Sequence, residues 1–192
     1  MKTLLVAIKL LIVMTVLTGV IYPLAMLGIA QSLFPEQANG SLIRNGSQVV
    51  GSELIAQKFT GEGYFWPRPS GVDFVPQPSS GTNLGPTSKA LLDQIAERRT
   101  RLREAHNGAE PPDELLLASS SGLDPEISPA AALYQVGRVA RARLLSVEQT
   151  EQLRQVVVAA TEPRSWGFVG QPRVNVLELN LLIDSLYVNG RH

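Results

Sequence analysis

Residues 10–34 read LLIVMTVLTGVIYPLAMLGIAQSLF, 25 positions without a charge. A helix rises about 1.5 Å per residue, so about 20 of these residues cross a hydrocarbon layer of roughly 30 Å. Thirteen are Leu, Ile, Val or Phe, each favouring insertion by roughly 0.3–0.6 kcal/mol. One transmembrane helix over 10–34 is therefore expected. Pro23 lies inside it. In water a proline there would break the helix, whereas in lipid neighbouring groups re-satisfy the freed carbonyl. A kink beside Gly19 and Tyr22 also offers a packing surface to another helix. Lys2 and Lys9 precede the run and Glu36 is the first charge after it. Positive flanks stay in the cytoplasm, which predicts a cytoplasmic N-terminus over 1–9 and the remainder outside. Gly28 and Ala30 would suit a signal peptidase, but a signal sequence has an apolar core of only about 7–15 residues. The longer run points to a retained anchor.

Working outward, residues 35–48 read as a linker and residues 49–192 as one extracytoplasmic soluble domain, an α+β fold behind a single span. The 157 residues after Pro35 hold all 17 acidic and 15 of the 17 basic side chains, a net charge of about −2. That balance gives no basic excess for nucleic acid. The chain has no cysteine, which excludes disulfides, thiolate metal ligands and a cysteine nucleophile.

Local signals mark the elements. Leu42-Ile43-Arg44 and Val49-Val50-Gly51 read as short strands, and Ser52 as the cap of a short helix to Phe59. Residues 61–87 (GEGYFWPRPSGVDFVPQPSSGTNLGPT) carry five prolines and four aromatics. This is a long irregular loop, either a docking surface or a stiffened segment packed on its own core. Arg68, between Pro67 and Pro69, is placed to anchor a carboxylate or carbonyl. Thr87 or Ser88 caps a helix to about His106, with Leu91, Ile95 and Leu102 inward and Arg98, Arg99, Arg101 and Arg103 on a solvated face. Leu115–Ala118 reads as a buried strand. Ser128-Pro129 starts a helix to about Leu145, and Ser146 caps another to about Ala160, carrying Val147, Leu153, Val156 and Val157. Residues 162–170 form a loop with Trp166 and Phe168. Asn175 and Glu178 stand at capping-box spacing before a helix from Val176 to about Tyr187, with a strand over Val174–Leu179 competing.

Little here suggests catalysis. There is no Gly-x-x-x-x-Gly-Lys phosphate loop and no Asp-Lys-Thr-Gly phosphorylation motif. Ser119, Ser120 and Ser121 have no evident histidine partner, and a two-histidine metal site would need His106 with His192. The alternative class is an anchored extracytoplasmic binding or hydrolase domain acting alone.

Three segments together carry a resemblance. They are Tyr64-Phe65-x-x-Arg68-Pro69-Ser70 with Gly81-Thr82-Asn83-Leu84-Gly85-Pro86-Thr87; Ser119-x-Ser121-Gly122-Leu123-Asp124-Pro125-x-Ile127-Ser128-Pro129 with Ala131, Gln135, Arg138-Val139-Ala140 and Arg143; and Pro172-Arg173-Val174-Asn175-Val176-Leu177-x-Leu179-Asn180. Their order, behind one N-terminal span, resembles the C subunit of the Kdp-type high-affinity potassium-transporting ATPase of bacteria. The resemblance covers nearly the whole chain, departing at Ser80, Thr82 and Ser88. It implies an accessory subunit in the bacterial inner membrane. Its partners would be a channel-like potassium-translocating subunit, a P-type ATP-hydrolysing subunit and the lipid bilayer. It also implies a role in raising the ATP affinity of the catalytic subunit, with Gln135 as a suggested nucleotide contact. Charge bias places Gln135 outside while ATP is inside, so a plain structural role, bonding the Ser121–Ser128 turn, stands beside it. No cofactor or metal is expected on this chain alone, and ATP would act through the complex. Partner-contact candidates are Pro23 on the span and Trp66, Arg68, Asn83, Asp124 and Arg138 in the domain.

Overall fold

Apolar sequence becomes helix almost from the first residue. The computed structural model describes residues 2–187 and divides into two units, Met1–Ser52 and Glu53–His192. In the first, α1 (Lys2–Val16) and α2 (Tyr22–Leu33) are joined by a π-helical turn, Leu17–Ile21. Together they make one helix, Lys2–Leu33, of 32 residues with nothing buried and an 18-residue stretch of mean hydropathy 2.6, long and apolar enough to cross a membrane. It starts before the expected residue 10, because Lys2 and Lys9 are good helix formers ahead of the apolar run.

Pro23 explains the π turn. Its nitrogen cannot donate to the Gly19 carbonyl, and its ring crowds that oxygen. Widening the preceding turn relieves both, and Tyr22 N–H donates five residues back, to Leu17. Thr18 and Ser32 hydroxyls donate to the Met14 and Gly28 carbonyls, each at 2.7 Å. These two hydroxyls are thus satisfied without water. A short helix, α3 (Pro35–Ala38), precedes a hairpin of β1 (Leu42–Asn45) and β2 (Gln48–Ser52). Its strands pair antiparallel around Gly46-Ser47, with Gly46 at φ +61°. The expected strands are present, and the hairpin groups with the span.

The second unit is built on four helices: α4 (Lys89–Ala105), α5 (Pro129–Ala142), α6 (Val147–Ala159) and α7 (Val176–Tyr187). One small antiparallel ladder links β3 (Glu126–Ile127) to β4 (Val174–Asn175). Helix α5 is the central element. Ala131, Ala132, Val136 and Val139 are buried beside Leu153 and Val157 of α6, Leu179 and Ile183 of α7, and Leu102 of α4. Each of these Val, Leu and Ile side chains contributes roughly 1.5–3 kcal/mol by leaving water. Caps set the boundaries. Ser128 Oγ accepts from Ala131 N–H at 3.1 Å ahead of Pro129. Ser146 and Gln149 form a reciprocal capping box. Asn175 Oδ1 accepts from Leu177 and Glu178 N–H at 3.0 and 3.2 Å.

Several local expectations fail for long-range reasons. No helix follows Ser52. Residues 53–60 run as turn and coil, because Ala56 N–H is taken by the Leu123 carbonyl and the Glu53 carbonyl by the Asn175 side chain. Leu115–Ala118 is no strand. After Pro112 the chain makes a 3-10 turn, Asp113–Leu115, that buries Leu115 and Leu116. An apolar run this short does not specify strand over turn. Helix α5 ends at Ala142 because Leu144 takes φ +56°. Val176 onward is helix, and only Val174–Asn175 is strand. Val147 is exposed, whereas Arg98 is half-buried and donates to the Leu116 carbonyl at 2.8 Å.

Candidate functional site

The proline-rich stretch cannot complete a β-ladder, since Pro67 and Pro69 have no N–H to donate. Its backbone groups still need partners once buried. Helices α5 and α7 supply them from side chains. Phe65 N–H donates to Asn180 Oδ1 at 2.8 Å, and Asn180 Nδ2 donates to the Phe65 carbonyl at 2.9 Å. Gln135 repeats the arrangement one residue on, with Trp66 N–H to Oε1 at 2.8 Å and Nε2 to the Trp66 carbonyl at 3.0 Å. Two side-chain amides thus act as strand neighbours to one dipeptide. Arg138 takes the preceding carbonyls, donating to Glu62 and, at 2.9 Å, to Tyr64. Arg143 Nε donates to the Gly63 carbonyl at 2.6 Å. Every carbonyl from Glu62 to Trp66 is therefore bonded by a side chain of α5, α7 or the residue after α5.

Arg138 is the hub. It is 1% exposed, and no carboxylate lies within ion-pair distance among the described residues. Its guanidinium lies 3.7 Å from the Trp66 ring centre and also donates to Gln135 Oε1 at 2.8 Å. Burial pulls its pKa down to about 10, so it stays charged at neutral pH, held by carbonyl dipoles and a π face.

His106, which follows α4, closes the far side. Arg138 Nε donates to its Nε2 at 3.3 Å, so Nδ1 carries the proton and donates to the Leu102 carbonyl at 2.7 Å. The ring stacks on Tyr134 at 4.2 Å. Both nitrogens are committed, and none remains to activate Ser119, Ser120 or Ser121. His192 lies outside the described residues. Burial first, then Arg138 and Arg141, hold the His106 pKa below its usual value. The folded state therefore binds fewer protons than the unfolded one. This stability is present above the unfolded pKa of about 6.5 and is lost as pH falls from there through the folded pKa. We expect the denaturant midpoint to drop as pH falls below about 6.5. The drop should be smaller in His106→Gln, which has no imidazole to charge. Glu126 and Glu178, whose pKa values burial raises, act in the opposite sense at lower pH, so the difference between the two proteins is the quantity to read. Equal slopes would remove His106 from the account.

The other expected residues are placed as follows. Trp66 is buried, its Nε1 donating to the Gly61 carbonyl at 3.0 Å. Arg138, expected at a partner surface, thus lies inside the domain, and Trp66 keeps only 8% of its surface exposed. Arg68 pairs with Asp124 at 3.0 Å, both half-buried, and Asp124 Oδ1 also accepts from Glu126 N–H. That ion pair ties the loop to the turn before α5. Asn83 is exposed at φ +53°. Gln135 is fully buried and bonds the Trp66 backbone, not the Ser121–Ser128 turn. Asn180, Arg143 and His106 were missed as site residues. Their partners lie 115, 80 and 32 positions away, and only Asn180 carried a local signal, a polar residue inside an otherwise apolar helix face.

Among the described residues no three His, Asp or Glu gather as a metal site. A helix long and apolar enough to cross a membrane thus precedes a domain whose buried network around Arg138 braces its own loop. The chain belongs to the family described as KdpC, K+-transporting ATPase, c chain, which matches residues 4–185. It is similar to the potassium-transporting ATPase KdpC subunit of Rhodospirillum rubrum, 51% identical over 191 residues and 97% of each chain. That of Methylococcus capsulatus is 51% identical over 185 residues, 94% of this chain and 96% of the relative. That of Geobacter sulfurreducens is 49% identical over 190 residues, 97% of this chain and 99% of the relative.

Proposed function

We propose that this chain is the accessory subunit of an ATP-driven, high-affinity potassium uptake complex. Its span would lie in the bacterial inner membrane with residues 1–9 in the cytoplasm and the braced domain outside. Its partners would be a channel-like potassium-translocating subunit and a P-type ATP-hydrolysing subunit. The domain stabilises the assembly and covers the potassium entrance. The observation that carries this reading is the likeness to c chains over nearly the full length of both sequences. The flanking charges support the orientation, with Lys2 and Lys9 before the apolar run and Glu36 after it. Any effect on ATP affinity passes through the complex. Gln135 supports that view, because its amide is fully buried and engaged at both ends.

Two measurements test it. Purification through a tag on this chain should bring down large polytopic subunits, and recovery of the chain alone would leave the solitary binding or hydrolase domain standing. A single cysteine, Ser121→Cys, in this cysteine-free chain sits on an exposed turn. It should react with a membrane-impermeant thiol reagent in intact cells. Labelling only after lysis would put the domain inside and reverse the orientation.

A further inference from the structure

Beside the braced loop lies a cavity of about 230 Å³, walled by Phe59, Trp66, Phe74 and Leu102 and carrying Lys58, Arg68, Arg98 and Arg101 against one acid, Asp73. Lys58 is neutralised by Asp73 at 2.6 Å, and Arg68 by Asp124 at 3.0 Å. Arg68 Nε is nevertheless buried without an acceptor. Arg98 bonds a carbonyl and the Gln94 amide, and Arg101 lies over the Trp66 ring at 5.1 Å. Neither has a carboxylate at ion-pair distance among the described residues. They stand three apart on α4, where like charges repel. The walls therefore present two guanidiniums without a carboxylate partner to a single space.

We propose that this cavity receives an acidic side chain presented by a partner subunit, an inference that rests on the assembly role above. The volume is below the roughly 300–1,000 Å³ of small-molecule clefts, which suits one side chain better than a nucleotide. Trp and Arg are the residue types that dominate interface hot spots. Pro67 and Pro69, with the amide braces behind them, hold the wall in place before binding, so little ordering entropy is lost on docking. A carboxylate there would bond bidentately to a guanidinium and remove the repulsion between Arg98 and Arg101.

The test uses the assembled complex, captured through a tag on a large subunit, with retention of this chain followed across a salt series. Arg101→Glu should lower retention at least tenfold and flatten its salt dependence. Arg103→Glu, on the same helix outside the cavity, should behave as wild type. Arg101 is exposed, so both variants should unfold at the wild-type denaturant midpoint. If Arg101→Glu does not, Arg101→Gln decides the matter by the same criterion. Wild-type retention of the Arg101 variants would overturn the docking inference while leaving the assembly role intact. Failure to retain the wild-type chain itself would remove both. A second arm titrates inorganic phosphate into the full-length Trp166→Phe chain alone, reading Trp66 fluorescence. A saturable response abolished by Arg101→Glu, with retention unchanged, would assign the cavity to a free anion and overturn the proposal.

Discussion

Arg138→Met should destabilise the domain by about 3–5 kcal/mol, the cost of leaving several buried acceptors without a donor. The methionine fills much of the same space and leaves no buried charge, so the loss comes from what arginine was bonded to. The Glu62 and Tyr64 carbonyls lose their donors, as does His106 Nε2, and the Trp66 ring loses the cation at 3.7 Å. Each orphaned buried group costs about 1–3 kcal/mol. Against a total stability of about 5–15 kcal/mol for a typical domain, this is a large fraction. With a urea slope of about 1–3 kcal/mol per molar, the midpoint of the full-length protein in detergent should fall by about 1 M or more. Arg138→Lys should recover only part of the loss. An ammonium keeps the charge but cannot hold two carbonyls, an amide oxygen and an imidazole in one plane. A wild-type midpoint for the methionine variant would mean the hub contributes nothing.

What could be read from the sequence was what is decided locally. The span follows from 25 uncharged residues, and the starts of α5, α6 and α7 from Ser128-Pro129, Ser146 and Asn175, whose side chains bond N–H groups within three residues. The irregularity of residues 61–87 was also legible, since prolines exclude a ladder. What holds that loop was not. Gln135, Arg138, Arg143 and Asn180 look like ordinary polar positions on helices, and nothing within a helical turn of them shows that a chain segment 69–115 residues away supplies their partners. The same long-range demand undid the helix expected after Ser52, where Ala56 N–H and the Glu53 carbonyl are taken from outside the segment. Arg68, between two prolines, reads as an anchor for a carboxylate or a carbonyl, and only the fold brings Asp124 of the same domain beside it.

Asn180→Leu and Gln135→Leu each leave one buried N–H and one buried carbonyl unpaired, and each should cost about 2–4 kcal/mol. The two sites are coupled through adjacent residues, Phe65 and Trp66. Once either amide lets go, the dipeptide can swing toward water and the other brace loses its partner. The double variant should therefore cost less than the sum, with a coupling of about 0.5–3 kcal/mol in a double-mutant cycle on denaturant midpoints. Strict additivity would mean the two residues hold independent features. The same pair also separates two roles for Gln135. If it acts only as a brace, the ATP concentration dependence of the intact complex should shift alike in Gln135→Leu and Asn180→Leu, because both release the same loop. Asn180 sits on α7, is buried, and its side-chain amide bonds the Phe65 backbone at both ends, so it offers a nucleotide nothing that Gln135 would. A shift in Gln135→Leu that is absent in Asn180→Leu, at equal loss of stability, would put the nucleotide against Gln135 itself and require the loop to open first.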